Sequence, residues 1–68
     1  MDENSTISVS GAYRAMFEFV YAYWKRGGEQ DEVGSMLGDI QFGKAGPTET
    51  ADPAQWSDWL AAVEKVTK

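Results

Sequence analysis

The residues of this sequence that could do chemistry are its carboxylates, because it contains neither His nor Cys. The usual general base at neutral pH, the usual metal ligand and the thiol nucleophile are therefore missing. What remains is a mechanism with paired carboxylates, in which one acid must be buried so that its pKa rises. The acids here fall mainly at helix starts or on polar helix faces. We therefore expect no catalytic residue, no cofactor and no enzymatic activity.

Four acidic residues lie close together in the sequence, at Glu29, Asp31, Glu32 and Asp39. Such a stretch could bind calcium, but the spaced ligands and closing Glu of an EF-hand loop are absent, so no metal site is expected. Two interpretations remain open. The stretch is either the solvated first turn of a helix or a surface that attracts a basic protein partner.

Two aromatic residues fall outside the predicted core faces. Tyr21 lies at the edge of the apolar stripe of the first helix, and Phe42 lies opposite the core face of the second helix unless the chain has already turned there. Exposed aromatic side chains often anchor binding, although one or two stray rings are ordinary. Tyr21 and Phe42 are therefore the candidate anchors for a partner.

Helices must position these residues, and three apolar stripes predict helices over residues 9–26, 32–42 and 53–66. Ser8 or Ser10 is expected to cap the first helix, and Asp31 the second. The first stripe is roughly 160° wide, which suggests contact with two neighbouring elements. The third helix has the clearest start, with Asp52 as its cap and Pro53 at its first position.

Three further features add to this prediction. Gln55 could complete a capping box at the start of the third helix. Residues 43–51 combine Gly, Pro and Thr without periodicity, which predicts a surface loop. Gly34 and Gly38 lie on one side of the second helix, where either an aromatic ring of the first helix or another chain could pack closely.

Together these elements predict an all-α fold, a small three-helix bundle with a disordered acidic tail over residues 1–7 and a single helical domain over residues 8–68. With three Trp, three Tyr and three Phe, large rings can offset the short chain of 68 residues. The expected shared core consists of Trp24, Trp56 and Trp59 with Met16, Val20, Leu37, Ile40, Leu60 and Val63.

The charge balance restricts the partners. Eleven acids against six bases give a net charge of −5, which disfavours a nucleic-acid backbone or an anionic membrane and favours a basic protein.

The N-terminus lacks the pattern of a secretory signal, and no apolar run approaches the roughly 20 residues that span a bilayer. The cytoplasm is the expected location.

Three segments carry a resemblance to a known group of proteins. They are the run from Asp52 to Val63, the run from Ala12 to Phe19, and Met36-Leu37-Gly38-Asp39. Together they resemble small bacterial immunity-type proteins, which are encoded beside secreted or contact-dependent toxins. The resemblance covers about residues 8 to 66, and its motifs are chiefly core and capping positions.

The resemblance implies a protein that binds and neutralises a cognate toxin in the cytoplasm, with neither cofactor nor catalytic residue. Its contacts would then be the four acidic residues, with Tyr21 and Phe42 as anchors. The alternative is a small structural or regulatory subunit that acts as a homo-oligomer, such as a homodimer through the side of Gly34 and Gly38. A concentration-dependent mass in solution distinguishes the two.

Overall fold

The computed structural model describes residues 5–67, which form three helices and one short β-hairpin. Helix α1 spans Val9–Arg26 and helix α2 spans Asp31–Ile40. Strands β1 (Phe42–Gly43) and β2 (Gly46–Thr50) follow, and helix α3 spans Pro53–Thr67. Residues 1–4 of the predicted tail lie outside the described residues, and residues 5–8 have no regular structure.

The prediction of an all-α fold is wrong, because the segment predicted as a loop pairs with itself. Strands β1 and β2 are antiparallel, with Phe42 opposite Thr50, Gly43 opposite Gly46, and an irregularity between these pairs. Gly46 has a φ of +91°, a conformation that glycine adopts at little steric cost and that lets the chain reverse here. The fold is therefore a helix-rich mixture of α and β structure.

The hairpin is part of the packing and not a surface loop. Gly46 and Pro47 are buried, and β2 contacts both α1 and α3. Helix α2 packs against α1. A three-helix bundle would have placed α3 directly along α1, whereas here the hairpin occupies part of that interface.

Helix α1 begins and ends as the sequence predicts. The Ser8 side chain accepts a hydrogen bond from the Gly11 N–H at 3.0 Å, which satisfies one of the free donors in the first turn. Lys25 and Arg26 lie in the last turn, where positive charge suits the helix dipole. The chain then reverses through Gly28, whose φ is +87°.

Helix α2 starts one residue earlier and ends two residues earlier than predicted, and Asp31 is not its cap. Gln30 is the capping residue and makes no side-chain capping bond, while Asp31 is the first helical residue. The carbonyl of Gln30 accepts the first hydrogen bond of the helix, from the Gly34 N–H at 3.0 Å, and a second one from the Trp24 indole N–H of α1 at 3.0 Å. Phe42 lies beyond the helix end, in β1.

Helix α3 confirms the predicted cap with one change. The carboxylate of Asp52 accepts a hydrogen bond from the Ala54 N–H at 3.1 Å and another from the Gln55 side chain at 3.2 Å. Gln55 therefore binds the capping carboxylate itself, and not the backbone N–H that a capping box uses. The Asp52 N–H donates to the Asp39 carbonyl at 3.2 Å. This bond joins the start of α3 to the end of α2.

The buried core centres on a residue that the predicted core left out. Tyr13 is 1% exposed, and it forms the core cluster with the buried Leu37 and Ile40. Around them pack partly buried side chains, among which are the predicted core residues Met16, Val20, Trp24, Trp56 and Trp59. Leu60 was wrongly predicted as core, since it is 44% exposed, and Val63 is only half-buried.

Gly34 confirms one of the two interpretations of the glycine pair. A Cβ added at Gly34 would lie 3.2 Å from the indole nitrogen of Trp24, so the ring of α1 packs over this glycine. A Cβ at Gly38 would meet nothing within 4 Å. The two glycines therefore do not share one close contact.

Candidate functional site

The clearest concave feature of the described residues is an open pocket of about 220 Å³ where the three helices meet. Its wall is mostly apolar and comes from α1, the end of α2 and α3. Gln55 and Asp58 of α3 supply the polar part of the lining. The apolar part consists of Tyr13, Met16, Ile40, Trp59 and Ala62.

Tyr13 forms the rigid base of this pocket. Its hydroxyl donates a hydrogen bond to the Ile40 carbonyl at 2.7 Å, which satisfies a carbonyl at the end of α2 that the helix itself leaves free. The Trp56 and Trp59 rings contact the Tyr13 ring edge-on, with centroids 5.8 and 5.4 Å away. Burial raises the pKa of the Tyr13 phenol, because the charged form would lose its hydration.

Trp59 ties α3 to the start of α1. Its indole N–H donates to the Val9 carbonyl at 3.1 Å, and this bond fixes the ring that lines the pocket. The pocket walls are thus held by hydrogen bonds from both Tyr13 and Trp59. We expect a largely preformed pocket, as is usual for binding sites.

The four predicted acidic contacts do not form a single cluster. Asp31 and Glu32 are exposed in the first turn of α2, whereas Asp39 is exposed near its other end, a rise of about 12 Å away. None of these three carboxylates makes an ion pair with a described residue. No cationic side chain among the described residues therefore neutralises these three carboxylates at short range.

Glu29 differs from the other three acids, because it pairs with Lys25. The hydrogen bond from Lys25 to the Glu29 carboxylate, reinforced by their charge attraction, raises the pKa of the Lys25 ammonium. Both side chains are about half exposed, so solvent weakens this pair. Glu29 lies in the turn between α1 and α2 and not on α2 itself. Its φ is +59°.

The two predicted aromatic anchors have different surroundings. Tyr21 is 43% exposed, and its ring lies beside Trp24 at a centroid distance of 5.8 Å. Phe42 is half-buried and contacts the rings of Tyr13 and Phe17 edge-on, at 6.0 and 5.5 Å. The Arg14 guanidinium covers the Phe42 ring, 4.9 Å from its centroid. Of the two rings, Tyr21 is the one open to a partner.

Other exposed apolar side chains were not predicted as contacts. Phe19 is 73% exposed, Tyr23 57% and Met36 43%. The sequence held a signal for two of them, because the wide apolar stripe of α1 includes Phe19 and Tyr23 and implies a second neighbour. Among the described residues, no second element covers Phe19 and Tyr23.

The arrangement combines an open, mostly apolar pocket with exposed carboxylates on α2. Among residues 5–67 no group of three or more His, Cys, Asp or Glu side chains is placed to hold a metal ion. None of the described helices has the length and apolarity that crossing a membrane requires. No protein-family model, curated protein or solved structure matches the chain.

Proposed function

We propose that this protein binds a basic protein partner and carries out no chemistry of its own. The observation that carries the proposal is the open apolar pocket with Asp58 in its lining. An apolar side chain of the partner enters the pocket, and a neighbouring Lys or Arg pairs with Asp58. Such a central apolar anchor beside a charged contact is the usual composition of a binding hot spot.

The exposed carboxylates of α2 support a basic partner. Asp31, Glu32 and Asp39 have no ion-pair partner among the described residues, and the net charge of the chain is −5. Their field attracts a basic surface before contact, which raises the association rate and makes it depend on salt. The pocket would then supply the lasting contact.

The resemblance to immunity-type proteins suggests a specific form of this proposal. In that form the partner is a basic toxin domain encoded by the adjacent gene, and this protein neutralises it in the cytoplasm. The general proposal does not depend on it, because any basic protein with a protruding apolar side chain has the required chemistry.

The experiment measures association with the protein encoded by the neighbouring gene. The pocket is tested with Ala62→Phe, which fills it from an exposed position, and the matched control is Ala61→Phe at the next exposed position of α3. We expect at least about a tenfold loss of affinity for the pocket variant, equal to about 1.4 kcal/mol, and little change for the control. Equal affinities for the two variants would remove the pocket from the interface.

The charges are tested by reversing Asp31 and Glu32 to Lys. We expect slower association and a weaker dependence on salt than in the wild type. A double variant with the same change in net charge, Glu18→Lys with Glu49→Lys, separates a local effect from a global one. If both double variants slow association equally, the α2 carboxylates have no special role in attracting the partner. If the protein does not inhibit the neighbouring gene's product in cells, the immunity form of the proposal is wrong.

A further inference from the structure

One flank of α1 is exposed, apolar and almost uncharged. It follows the spacing of a helix–helix contact, with Ala12, Ala15, Phe19 and Ala22 separated by three, four and three residues. Tyr23 adjoins this row one turn after Phe19. Phe19 is 73% exposed and Tyr23 57%, and Ala15 and Ala22 are also exposed. We call this row, with Tyr23, the α1 flank.

Three of the four charged residues of α1 lie away from this flank. At about 100° per residue, Arg14, Glu18 and Lys25 all lie about 100° or more around the helix from Phe19. Arg26, in the last turn, is the one charged residue of α1 on the same side. The flank thus offers no carboxylate to attract a basic partner. A chain with a net charge of −5 can approach its own copy most closely through a surface without carboxylates.

The flank is also complementary to itself in size. Its N-terminal half carries the small residues Ala12 and Ala15, and its C-terminal half carries the large rings of Phe19 and Tyr23. When two such helices lie antiparallel, the large half of each faces the small half of the other. A symmetric dimer makes this contact twice, because each patch meets its own copy.

The small core of this fold suggests that the protein would gain stability from such a dimer contact. Apart from Gly46 and Pro47 of the hairpin, the buried residues among those described are Tyr13, Leu37 and Ile40, and α3 contains none. With no Cys in the sequence, a disulfide cannot compensate. Domains of this size often gain the missing stability by oligomerisation.

We propose that a second copy of this chain covers the α1 flank, forming a symmetric antiparallel dimer in which Phe19 packs against the partner's Ala15. A standard interface removes about 800 Å² from each partner, which is about one sixth of the 5161 Å² surface of this chain. A single pair of helices provides less than that. The dimer is therefore weak, and its population rises with concentration. This proposal is independent of the proposed partner.

The first experiment measures the mass of the protein in solution from low-micromolar to near-millimolar concentration. The expected result is a rise from the chain mass of 7.5 kDa toward twice that value. Phe19→Asp should keep the mass at that of one chain, and Ser35→Asp, which adds the same charge at an exposed position of α2, should dimerise as the wild type does. A wild-type mass that stays at one chain throughout would overturn the proposal.

The second experiment tests the antiparallel arrangement, using the absence of native Cys. Ala15→Cys and Phe19→Cys are prepared as two variants that differ in mass through a tag, and are oxidised separately and together. The mixture should form disulfide-linked dimers faster than Ala15→Cys alone, because residue 15 of one helix faces residue 19 of the other. This comparison is stringent, since the mixed pair keeps one Phe19 ring and Ala15→Cys alone keeps both. In each variant alone, the two thiols are displaced by about 6 Å along the helix axes.

Two outcomes of this cross-linking would contradict the proposal. Faster linking of each variant with itself than with the other indicates a parallel arrangement. Linking no faster than that of Glu18→Cys, an exposed position on another side of α1, indicates random collision. Because these thiols replace exposed side chains, circular dichroism of the reduced variants verifies that the fold is unchanged.

Discussion

Replacing Tyr13 with Phe tests whether one hydrogen bond holds the end of α2 against α1. The Tyr13 hydroxyl donates to the Ile40 carbonyl at 2.7 Å, and the two residues are 1% and 6% exposed. Phe keeps the ring that contacts Trp56 and Trp59 but leaves the carbonyl without this donor. A buried group left unpaired costs about 1–3 kcal/mol.

That cost is large for this chain. At about 0.05–0.15 kcal/mol per residue, 68 residues correspond to a total stability of about 3–10 kcal/mol. With an m-value of about 1 kcal/mol/M, the urea midpoint should fall by about 1 M or more. Trp fluorescence can follow the unfolding, because Trp56 and Trp59 lie in contact with Tyr13.

The matched control is Tyr23→Phe, which removes a hydroxyl from a side chain that is 57% exposed. Its midpoint should move by less than the equivalent of about 0.5 kcal/mol. If Tyr13→Phe shifts the midpoint no more than Tyr23→Phe does, the bond to Ile40 contributes nothing to stability and the reasoning fails.

The same bond predicts a dependence on alkaline pH. Burial raises the pKa of Tyr13 above its ordinary value of 10.0, so the folded protein holds this proton more tightly than the unfolded chain does. The contribution to stability is complete below about pH 10 and falls as the pH rises through the raised pKa. The decline between neutral pH and pH 11 should be smaller in Tyr13→Phe, and an identical decline would show that another group is responsible.

Two further pairs of substitutions test the packing. Trp56→Ala should cost about 3 kcal/mol, at the lower end for a large ring because it is only partly buried, whereas Leu60→Ala should cost under about 1 kcal/mol in the same urea titration. Gly46→Ala should lower the melting temperature, because φ is +91° and the new Cβ would lie 2.9 Å from the Arg14 guanidinium. Gly38→Ala should raise it by the equivalent of about 0.5–1 kcal/mol, since nothing lies within 4 Å of the added Cβ and Ala favours a helix.

The helices and their ends were largely predictable from the sequence, because the signals are local. Helix α1 begins and ends where predicted, and α3 begins at the predicted Pro53 and ends one residue later than predicted. The Ser8 and Asp52 caps depend on side chains that reach only two or three residues along the chain. Periodicity also identified most of the side chains that pack around the core.

What depended on contacts between distant residues was not predictable in this way. The hairpin brings Phe42 against Tyr13 and Phe17, far away in the sequence, a contact that the loop-like composition of residues 43–51 does not indicate. Phe42 was expected opposite the core face of α2 unless the chain had already turned, and the structure shows that it has turned: Phe42 lies in β1 and packs, partly buried, against the core. Asp31 is the first helical residue and not the cap, and the carbonyl of the actual capping residue, Gln30, accepts a hydrogen bond from the Trp24 indole of α1.

The same difference between local and long-range information applies to the candidate site. The sequence by itself determined which residue types exist: no His, no Cys, a net charge of −5 and exposed acids around α2. Only the tertiary structure decided that α3 meets the end of α2 beside Tyr13, which creates the pocket. It also decided that the neighbouring elements cover only part of the apolar stripe of α1. Periodicity assigns a side chain to a face of its own helix, but whether that face is covered depends on how far the other elements extend over it.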